Sequence, residues 1–358
     1  MWPDHRIIDL FKTEFPIILA PMAGAMDAEL VIAAAQGGAL GSLPCALLSA
    51  EKAREQVNFI RQSVSAPINM NFFCHNSVDA DPKRAAGWKA RLTPYYKELG
   101  LDPSAPFTAA NRAPFDEAMC ALVEDLKPEV VSFHFGLPDQ ALLGRVKAAG
   151  CIVMSSATTV KEAIWLEENG ADVIIAQGAE AGGHRGMFLT DNITEQPGTF
   201  ALVPQVADAV MVPVIAAGGI ADGRGIAAAF ALGASGVQIG TAYLRCPESK
   251  LIAPARVALA QARDDSTVIT NVMTGRPARG VANRTMRELG PISSDAPAFP
   301  HAATALAPLK AAAEKLGKVD FTNLWAGQAV RMGREMPAAE LTRALAGAAL
   351  ARMCQMAG

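Results

Sequence analysis

The sequence predicts an α/β protein whose eight parallel strands alternate with helices and close into a (β/α)8 TIM barrel. Eight short apolar runs rich in Val, Ile and Ala recur between residues 16 and 241, most of them separated by a segment of helical character. Strands that are apolar nearly end to end are typical of a parallel sheet covered on both faces. Eight repeats favour a closed barrel, and the Gly-x-Gly-x-x-Gly fingerprint of an open dinucleotide-binding sheet is absent after the first run.

Local signals place the elements in order along this repeat. Ser49, Thr159 and Asp222 each precede a helix that they can cap, and Glu162 completes a capping box with Thr159. Helices that end in glycine just before a strand are a recurring feature, at Gly37, Gly150, Gly170 and Gly233. The predicted strands cover residues 16–22, 39–43, 67–73, 130–136, 151–156, 171–176, 213–219 and 236–241.

Two segments exceed what a barrel requires. Residues 74–126 are too long for an ordinary connection and predict a helical insertion beside the site, although the sequence does not decide whether it forms a mobile lid. Residues 249–323 include a turn-rich basic stretch around Arg276. A final helix from about Pro337 to Met353 is expected to pack outside the barrel. We therefore assign residues 1–73, 127–248 and 324–358 to the barrel, and residues 74–126 and 249–323 to a smaller helical substrate-side cap.

Composition excludes several classes of protein. Hydrophobic residues make up 51% of the 358 residues, which is enough for a sizeable core. The net charge is -3 and no basic stripe stands out, which argues against nucleic acid as a partner. No apolar run is long enough to cross a membrane. The six cysteines are scattered without a Cys-x-x-Cys pair, which indicates reduced thiols, no metal site and a cytoplasmic location.

Polar side chains mark the carboxyl ends of the predicted strands, where barrels of this kind carry their active face. Asn71, Gln177 and Gln238 suit a flat heteroaromatic ligand that needs both donors and acceptors. Gly218-Gly219 and Gly240-Thr241 expose backbone N–H groups and helix N-termini, which suits a phosphate. We therefore predict a phosphorylated flat cofactor across the barrel mouth, and FMN fits this description best.

His184 follows the sixth strand in a glycine-rich stretch that we predict to be a mobile polar loop. The two preceding glycines, Gly182 and Gly183, let the backbone approach a ligand closely, and a histidine there is a candidate catalytic residue.

Structural roles are the alternatives for several polar residues. Asn71 and Gln177 could satisfy loop backbone instead of a ligand. His134 reads as a core histidine with satisfied ring nitrogens, His75 as structural or solvent-facing, and Arg185 as surface charge.

Seven motifs run in order along nearly the whole chain. They are residues 20–24 (Ala-Pro-Met-Ala-Gly), 71–75, 177–186, 213–225, 236–244, 274–280 (Thr-Gly-Arg-Pro-Ala-Arg-Gly) and 325–329. Together they resemble nitronate monooxygenase, formerly called 2-nitropropane dioxygenase. The resemblance implies an FMN-binding barrel in which His184 is the catalytic base and Met22 lies near the flavin ring. The other cofactor contacts that it implies are Asn71, Gln177, Gly182, Gly219, Gln238, Gly240 and Thr241.

The resemblance also implies a reaction and its partners. His184, neutral near pH 7, would remove the acidic C–H proton of a nitroalkane and leave a nitronate. With FMN and O2 the products would be a carbonyl compound and nitrite. For a substrate already presented as a nitronate, His184 would orient or neutralise the anion. The oligomeric state stays open, with a homodimer among the alternatives.

Rival functions remain at this point. The loops at residues 25–28 and 44–46 depart from the family pattern, so the substrate is not fixed. An NAD(P)H-dependent FMN reductase, acting on quinones or enoyl thioesters, has a similar Glu-Ala-Gly-Gly-His loop. A flavin-binding regulator or scaffold without catalysis and a flavin-free phosphosugar isomerase are further alternatives.

Overall fold

The chain forms the predicted barrel in a computed structural model that describes residues 1–105 and 112–357. Its strands are Ile17–Leu19 (β1), Gly41–Pro44 (β2), Ile68–Phe73 (β3), Val130–His134 (β4), Ile152–Ala157 (β5), Val173–Gln177 (β6), Gly183–His184 (β7), Val214–Ala217 (β8), Gly236–Ile239 (β9), Thr267–Thr270 (β10) and Ala278–Val281 (β11). The parallel sheet has the order β1-β9-β8-β6-β5-β4-β3-β2. A bridge between Ile18 and Leu40 joins β1 to the start of β2 and closes the barrel.

Helices cover the outside of the sheet and build the cap. They are Arg6–Phe11 (α1), Ala28–Gln36 (α2), Ala50–Ser63 (α3), Pro82–Glu98 (α4), Glu117–Leu126 (α5), Gln140–Ala148 (α6), Val160–Glu168 (α7), Thr199–Ala209 (α8), Gly223–Ala231 (α9), Ala253–Gln261 (α10), Arg284–Leu289 (α11), Ala302–Lys315 (α12) and Ala338–Ala357 (α13). The predicted caps Ser49, Thr159 and Asp222 each accept a hydrogen bond from a backbone N–H of the first turn.

Alternation along β3 shows how the barrel sorts its side chains. Met70 and Phe72 pack in the main core between sheet and helices. Asn69 and Asn71, at the intervening positions, project into the barrel, because successive strand residues point to opposite faces. Asn69 Nδ2 donates to Ser42 Oγ on β2 at 2.9 Å. The interior is therefore polar toward the carboxyl ends of these strands, where a site can form.

The cap has a core of its own. Trp88 and Tyr96 of α4 pack with Leu306 and Leu309 of α12 and with Phe321, so the two predicted insertions come together. The cap also carries an antiparallel sheet, β10-β11-β7, that the sequence analysis did not predict. Its pairing with β7 joins segments that are distant in sequence, so no local pattern announces it.

The division of the chain into barrel and cap stays a prediction. Within residues 74–126, α5 packs against α3 and α6 in the main core, whereas α4 belongs to the cap core. The described part of the chain contains no helix with the length and apolarity needed to cross a membrane.

The C-terminal helix α13 packs outside the barrel on α2 and α9, as predicted. Close backbone approach allows this contact. A Cβ atom on Gly223 would lie 2.5 Å from the backbone carbon of Ala348, and one on Gly37 would lie 2.7 Å from Thr342 Cβ. Only glycine fits at these two positions without displacing α13.

We predict that Gly223→Ala destabilises the protein by about 1–3 kcal/mol, because the added methyl group overpacks the α9–α13 contact. The matched control is Gly347→Ala, whose Cβ would meet nothing within 4 Å and which should stabilise α13 by about 0.5–1 kcal/mol. Urea unfolding of both variants measures the difference. Equal stability of the two variants would contradict the packing argument.

Candidate active site

His184 lies in a short strand, and the prediction of a mobile loop is wrong for this residue. Gly183 pairs with Arg279 and His184 pairs with Ala278 of β11. The carbonyl oxygen of His184 accepts hydrogen bonds from His134 Nε2 at 3.1 Å and from Gln177 Nε2 at 3.0 Å. The backbone of His184 is thus held from the cap on one side and from two barrel strands on the other.

The amide of Gln177 braces this strand at both ends. Besides donating to His184, its Oε1 accepts from the backbone N–H of Gly186 at 2.8 Å. This is the structural role that the sequence analysis gave as an alternative. Contact between Gln177 and a cofactor stays a prediction. The second N–H of the same amide could make that contact.

Arg185 is fully buried, so its assignment to the surface is wrong. Its guanidinium donates to the carbonyl oxygens of Gln177 at 2.7 Å and Gly178 at 2.6 Å, and to Gln196 Oε1 at 3.1 Å. Burial lowers the pKa of Arg185 to about 10, which still leaves it charged at neutral pH. The guanidinium thus holds the two carbonyl oxygens where β6 ends and the loop begins, and the Gly178 oxygen also accepts from the N–H of Ala181 at 3.1 Å.

Glu162 anchors the far end of the same segment. Its carboxylate is buried and accepts from the backbone N–H groups of Thr158 at 2.7 Å, Phe188 at 2.6 Å and Leu189 at 3.1 Å. The predicted capping box is therefore half right. Thr159 caps α7 through the N–H of Glu162, but the Glu162 side chain turns to the loop instead of back to Thr159.

The imidazole of His184 stands in an aromatic enclosure at the barrel mouth. Its Nε2 lies 2.9 Å from Thr274 Oγ1, whereas Nδ1 has no hydrogen-bond partner among the described residues. Four rings pack around it with centroids at 5.4–6.1 Å, those of Phe73, Phe135, Phe299 and Trp325. One ring nitrogen is thus held by the protein and the other is free to react.

The pKa of His184 lies well below its usual value, mainly because the ring is buried and further because positive charges lie nearby. The charges come from Arg112 and Arg276, with His134 and His75 adding to the effect when protonated. The imidazole is therefore neutral at pH 7, which is the form that can accept a proton.

Two guanidinium groups flank the enclosure, each on a ring that also packs against His184. Arg276 Cζ lies 4.0 Å from the Phe135 ring centroid, and Arg112 Cζ lies 5.6 Å from that of Phe299. Among residues 1–105 and 112–357, neither guanidinium forms an ion pair with a carboxylate. Arg276 Nη2 donates to the carbonyl oxygen of Met187 at 2.5 Å, a neutral partner that does not cancel its charge.

Phe135 presents its ring from an unusual backbone. Its φ is 72°, in the left-handed region that bulky residues rarely adopt. Such outliers persist where the surrounding structure enforces them and often mark functional sites. Here the conformation sets the ring beneath Arg276 and beside His184.

His134 is a brace, with both ring nitrogens partnered as predicted. Nδ1 lies 3.1 Å from Ser156 Oγ, and Nε2 lies 3.1 Å from the His184 carbonyl, which can only accept. The hydrogen of neutral His134 is therefore on Nε2. Burial lowers the pKa of His134 to about 4.

Some predicted cofactor residues come together opposite His184. A Cβ atom on Gly240 would lie 3.4 Å from Met22 Sδ, so these two residues adjoin. Thr241 Oγ1 accepts from the N–H of Gly327 at 2.9 Å, and a Cβ on Gly182 would lie 2.5 Å from the same nitrogen. Packing against residue 327 is thus one reason for a glycine at 182.

The remaining predicted residues line the strand ends. Asn71 is buried, and its Nδ2 donates to Ser132 Oγ at 2.9 Å. Gln238 Oε1 is buried without a hydrogen-bond partner among the described residues. Gly219 is exposed with a φ of 71°. A buried acceptor without a partner and an exposed backbone suit a ligand that has both an N–H donor and anionic groups.

An apolar cavity adjoins this site. It has a volume of about 260 Å³ and is lined in part by Cys45, Phe72, Phe115 and Met119, with Phe73 as the wall nearest His184. It lies beside the loop at residues 44–46, where the sequence departs from the family pattern. His184 itself does not line this cavity.

The sequence analysis assigned no role to several residues that form the site. Thr274 and Arg276 belong to a motif that it quoted, which was the available signal. Trp325 likewise belongs to a quoted motif, residues 325–329, whereas Arg112 and Phe299 come from segments far from His184 in sequence, and no spacing indicated their meeting.

Comparisons with known proteins place these features in context. A sequence model described as nitronate monooxygenase matches residues 4–347. The nitronate monooxygenase of Pseudomonas aeruginosa is 41% identical over 342 residues, 95% of this chain and 97% of that protein. The nitronate monooxygenase of Paraburkholderia phytofirmans is 40% identical, over 95% of this chain and 94% of that protein.

Solved structures share the fold over nearly the whole chain. A nitroalkane oxidase from Streptomyces ansochromogenes superposes with a TM-score of 0.89 at 35% identity, covering 99% of this chain and 100% of that one. FabK from Thermotoga maritima superposes with a TM-score of 0.75 at 26% identity, covering 99% and 98%.

We predict that the folded protein loses stability as the pH falls from about 6.5 toward 4. The folded-state pKa of His134 is depressed to about 4, while an unfolded histidine titrates near 6.5. In that window the unfolded state binds the proton more readily, so stability present above pH 6.5 is lost on acidification.

The variant His134→Asn should show a shallower dependence in urea unfolding measured from pH 7 to pH 4. The matched control, His5→Asn, removes an exposed histidine. An unchanged slope in His134→Asn would contradict the assignment.

Proposed function

The chain belongs to the nitronate monooxygenase family, and on that premise we propose that it uses FMN and O2 to oxidise nitronates and nitroalkanes to a carbonyl compound and nitrite. The proposal rests on one observation, the meeting of a basic ring nitrogen and positive charge at His184. A neutral imidazole with one free nitrogen stands between two guanidinium groups that have no carboxylate partner in the described chain. A base and an anion-attracting field are the two properties that this chemistry requires.

The field favours a nitronate as the bound form. A nitronate is an anion, and Arg112 and Arg276 offer it positive charge that no ion-paired carboxylate of the described chain neutralises, in a partly desolvated enclosure. The rings of Phe73, Phe299 and Trp325 exclude water and present apolar surface to the alkyl part.

For a nitroalkane, His184 acts as a general base. Its free nitrogen takes the proton from the carbon next to the nitro group, and the electron pair of that C–H bond moves into the nitro group to give the nitronate. The same positive field that lowers the pKa of His184 stabilises the negative charge formed on the nitro oxygens. His134 and Gln177 keep the His184 backbone in place while the proton moves.

The residues at the barrel mouth fit a flavin. Gln238 Oε1 offers an acceptor to a ring N–H, and Asn71 and Gln177 add amide groups. The backbone at Gly219 and Gly240-Thr241 would hold the phosphate. The N-terminus of α9 would not, because Asp222 already accepts from the N–H groups of Arg224 and Gly225. When bound, FMN supplies the electron transfer between substrate and O2.

We predict that the purified protein, loaded with FMN, releases nitrite from a nitronate in air without NADH or NADPH. His184→Asn should lower turnover of a neutral nitroalkane by roughly 10²–10⁴-fold, the usual contribution of a general base. Turnover of a preformed nitronate should fall less, because no proton is removed. Nitrite release measured side by side on both substrates tests this. Absence of nitrite from every nitronate would refute the proposed function.

The likeness to FabK supports one alternative, an NAD(P)H-dependent reductase. Mixing the FMN-loaded protein anaerobically with NADH or NADPH separates the two functions. Rapid loss of the oxidised flavin absorbance would favour the reductase, whereas stable absorbance would favour oxidation of nitronates.

We predict that Arg276→Gln raises KM for a nitronate roughly tenfold or more with little change in kcat, because hydrogen bonds to charged groups contribute about 1.5–3 kcal/mol. Arg276→Lys should retain part of the affinity, since it keeps the charge. Arg61→Gln, on the exposed face of α3, is the control for the loss of a positive charge. If Arg61→Gln and Arg276→Gln change KM equally, the field at the site is not responsible.

A further inference from the structure

Thr274 is the one side chain hydrogen-bonded to the His184 ring within residues 1–105 and 112–357. Its Oγ1 lies 2.9 Å from His184 Nε2 and 3.4 Å from the carbonyl oxygen of Arg276. Thr274 is fully buried. A buried hydroxyl has one hydrogen to place and no water to receive it, so its orientation is set by these two neighbours.

The two neighbours allow two hydrogen-bond arrangements. In the first, Thr274 donates to the Arg276 carbonyl and accepts from Nε2–H of His184, which leaves a lone pair on Nδ1. In the second, Thr274 donates to Nε2, and Nδ1 carries the hydrogen. Nδ1 is the nitrogen without a partner in the described chain, so only the first arrangement gives His184 a basic nitrogen that a substrate can reach.

We propose that Thr274 is a positioning residue that fixes His184 in the Nε2–H tautomer, so that Nδ1 is the atom that takes the substrate proton. This inference rests on the proposed role of His184 as a base. When the substrate C–H bond breaks, its electron pair stays with the substrate as the nitronate and the proton forms a new N–H bond at Nδ1. The resulting imidazolium keeps its Nε2–H directed at Thr274 Oγ1, so no group must turn during the step.

The surroundings make this acceptor important. Within residues 1–105 and 112–357, the charged or titratable groups that act on the ring all oppose an imidazolium: His75 after β3, His134 on β4, Arg112, and Arg276 beside Thr274. Among these neighbours the hydroxyl oxygen of Thr274 is the group that stabilises the protonated ring. Its loss should therefore affect proton removal and spare the steps that follow.

The tautomer can be observed directly, without catalysis. The chain has five histidines, few enough for 15N NMR of protein labelled at histidine, with the His184 signals assigned by their loss in His184→Asn. At pH 7 we expect Nε2 to be protonated and Nδ1 to be bare. In Thr274→Val the two tautomers should become mixed, and Thr274→Ser should restore the original one. A bare Nε2 in the unaltered protein would overturn the proposal.

Kinetics give the second test on the FMN-loaded enzyme. Thr274→Val should lower kcat/KM for a neutral nitroalkane by roughly 10- to 100-fold, part of the contribution of a general base. For a preformed nitronate the change should stay below about threefold. Thr274→Ser should recover nitroalkane turnover. The matched control is Thr285→Val, which removes another buried hydroxyl of the cap, one bonded to the Asp320 carbonyl at 2.8 Å.

The outcomes separate this inference from the proposed function. Equal losses on both substrates in Thr274→Val, or loss of nitroalkane turnover in Thr285→Val as well, would mean that Thr274 only supports the fold and would overturn the inference. If the unaltered protein oxidised neither substrate, the proposed function would fail, while the NMR result would still decide the tautomer.

Discussion

The hydrogen bonds to the backbone carbonyl of His184 are the constraint on which the site depends. One donor, His134, stands on β4, and the other, Gln177, stands on β6. Because the two strands belong to one closed barrel, the carbonyl cannot move without breaking at least one bond. The pairing of β7 with β11 then couples this fixed point to the cap. The backbone carbonyl of His184 is thus held by the barrel, and its ring is held by Thr274 of the cap.

Electrostatics and packing act together around that fixed point. Buried Arg185 and Glu162 are both satisfied by backbone groups of the loop, so their charges hold the loop in place. Arg276 also donates to a loop carbonyl, that of Met187, but within the described chain neither Arg276 nor Arg112 is ion-paired, and both lie on rings of the enclosure. Buried charges thus shape the loop, while the two guanidinium groups on the enclosure have no ion-paired carboxylate in the described chain.

Much of the fold could be read from local patterns. The apolar runs, the capping residues and the glycines at helix ends depend on neighbours in sequence, and the barrel followed from them. The site could be found only in part. Its position at the strand ends followed from the fold class, and His184 stood out by its glycines. From the sequence, the bracing role of Gln177 was one of two alternatives and the burial of Arg185 could not be read, because each depends on which backbone groups lie nearby in space. The pairing of β7 with β11 and the contact with Thr274 join segments about ninety residues apart.

The packing of the segment around Gly327 bears on how the protein is made. The N–H of Gly327 donates to Thr241, and the N–H of Gln328 donates to the carbonyl oxygen of Glu180. The backbone of Gly327 also fills the space beside Gly182. All strands of the barrel have left the ribosome long before this segment is synthesised. The barrel mouth is therefore completed only near the end of translation. Incomplete chains that stop before residue 325 would contain every barrel strand but lack these contacts at its mouth.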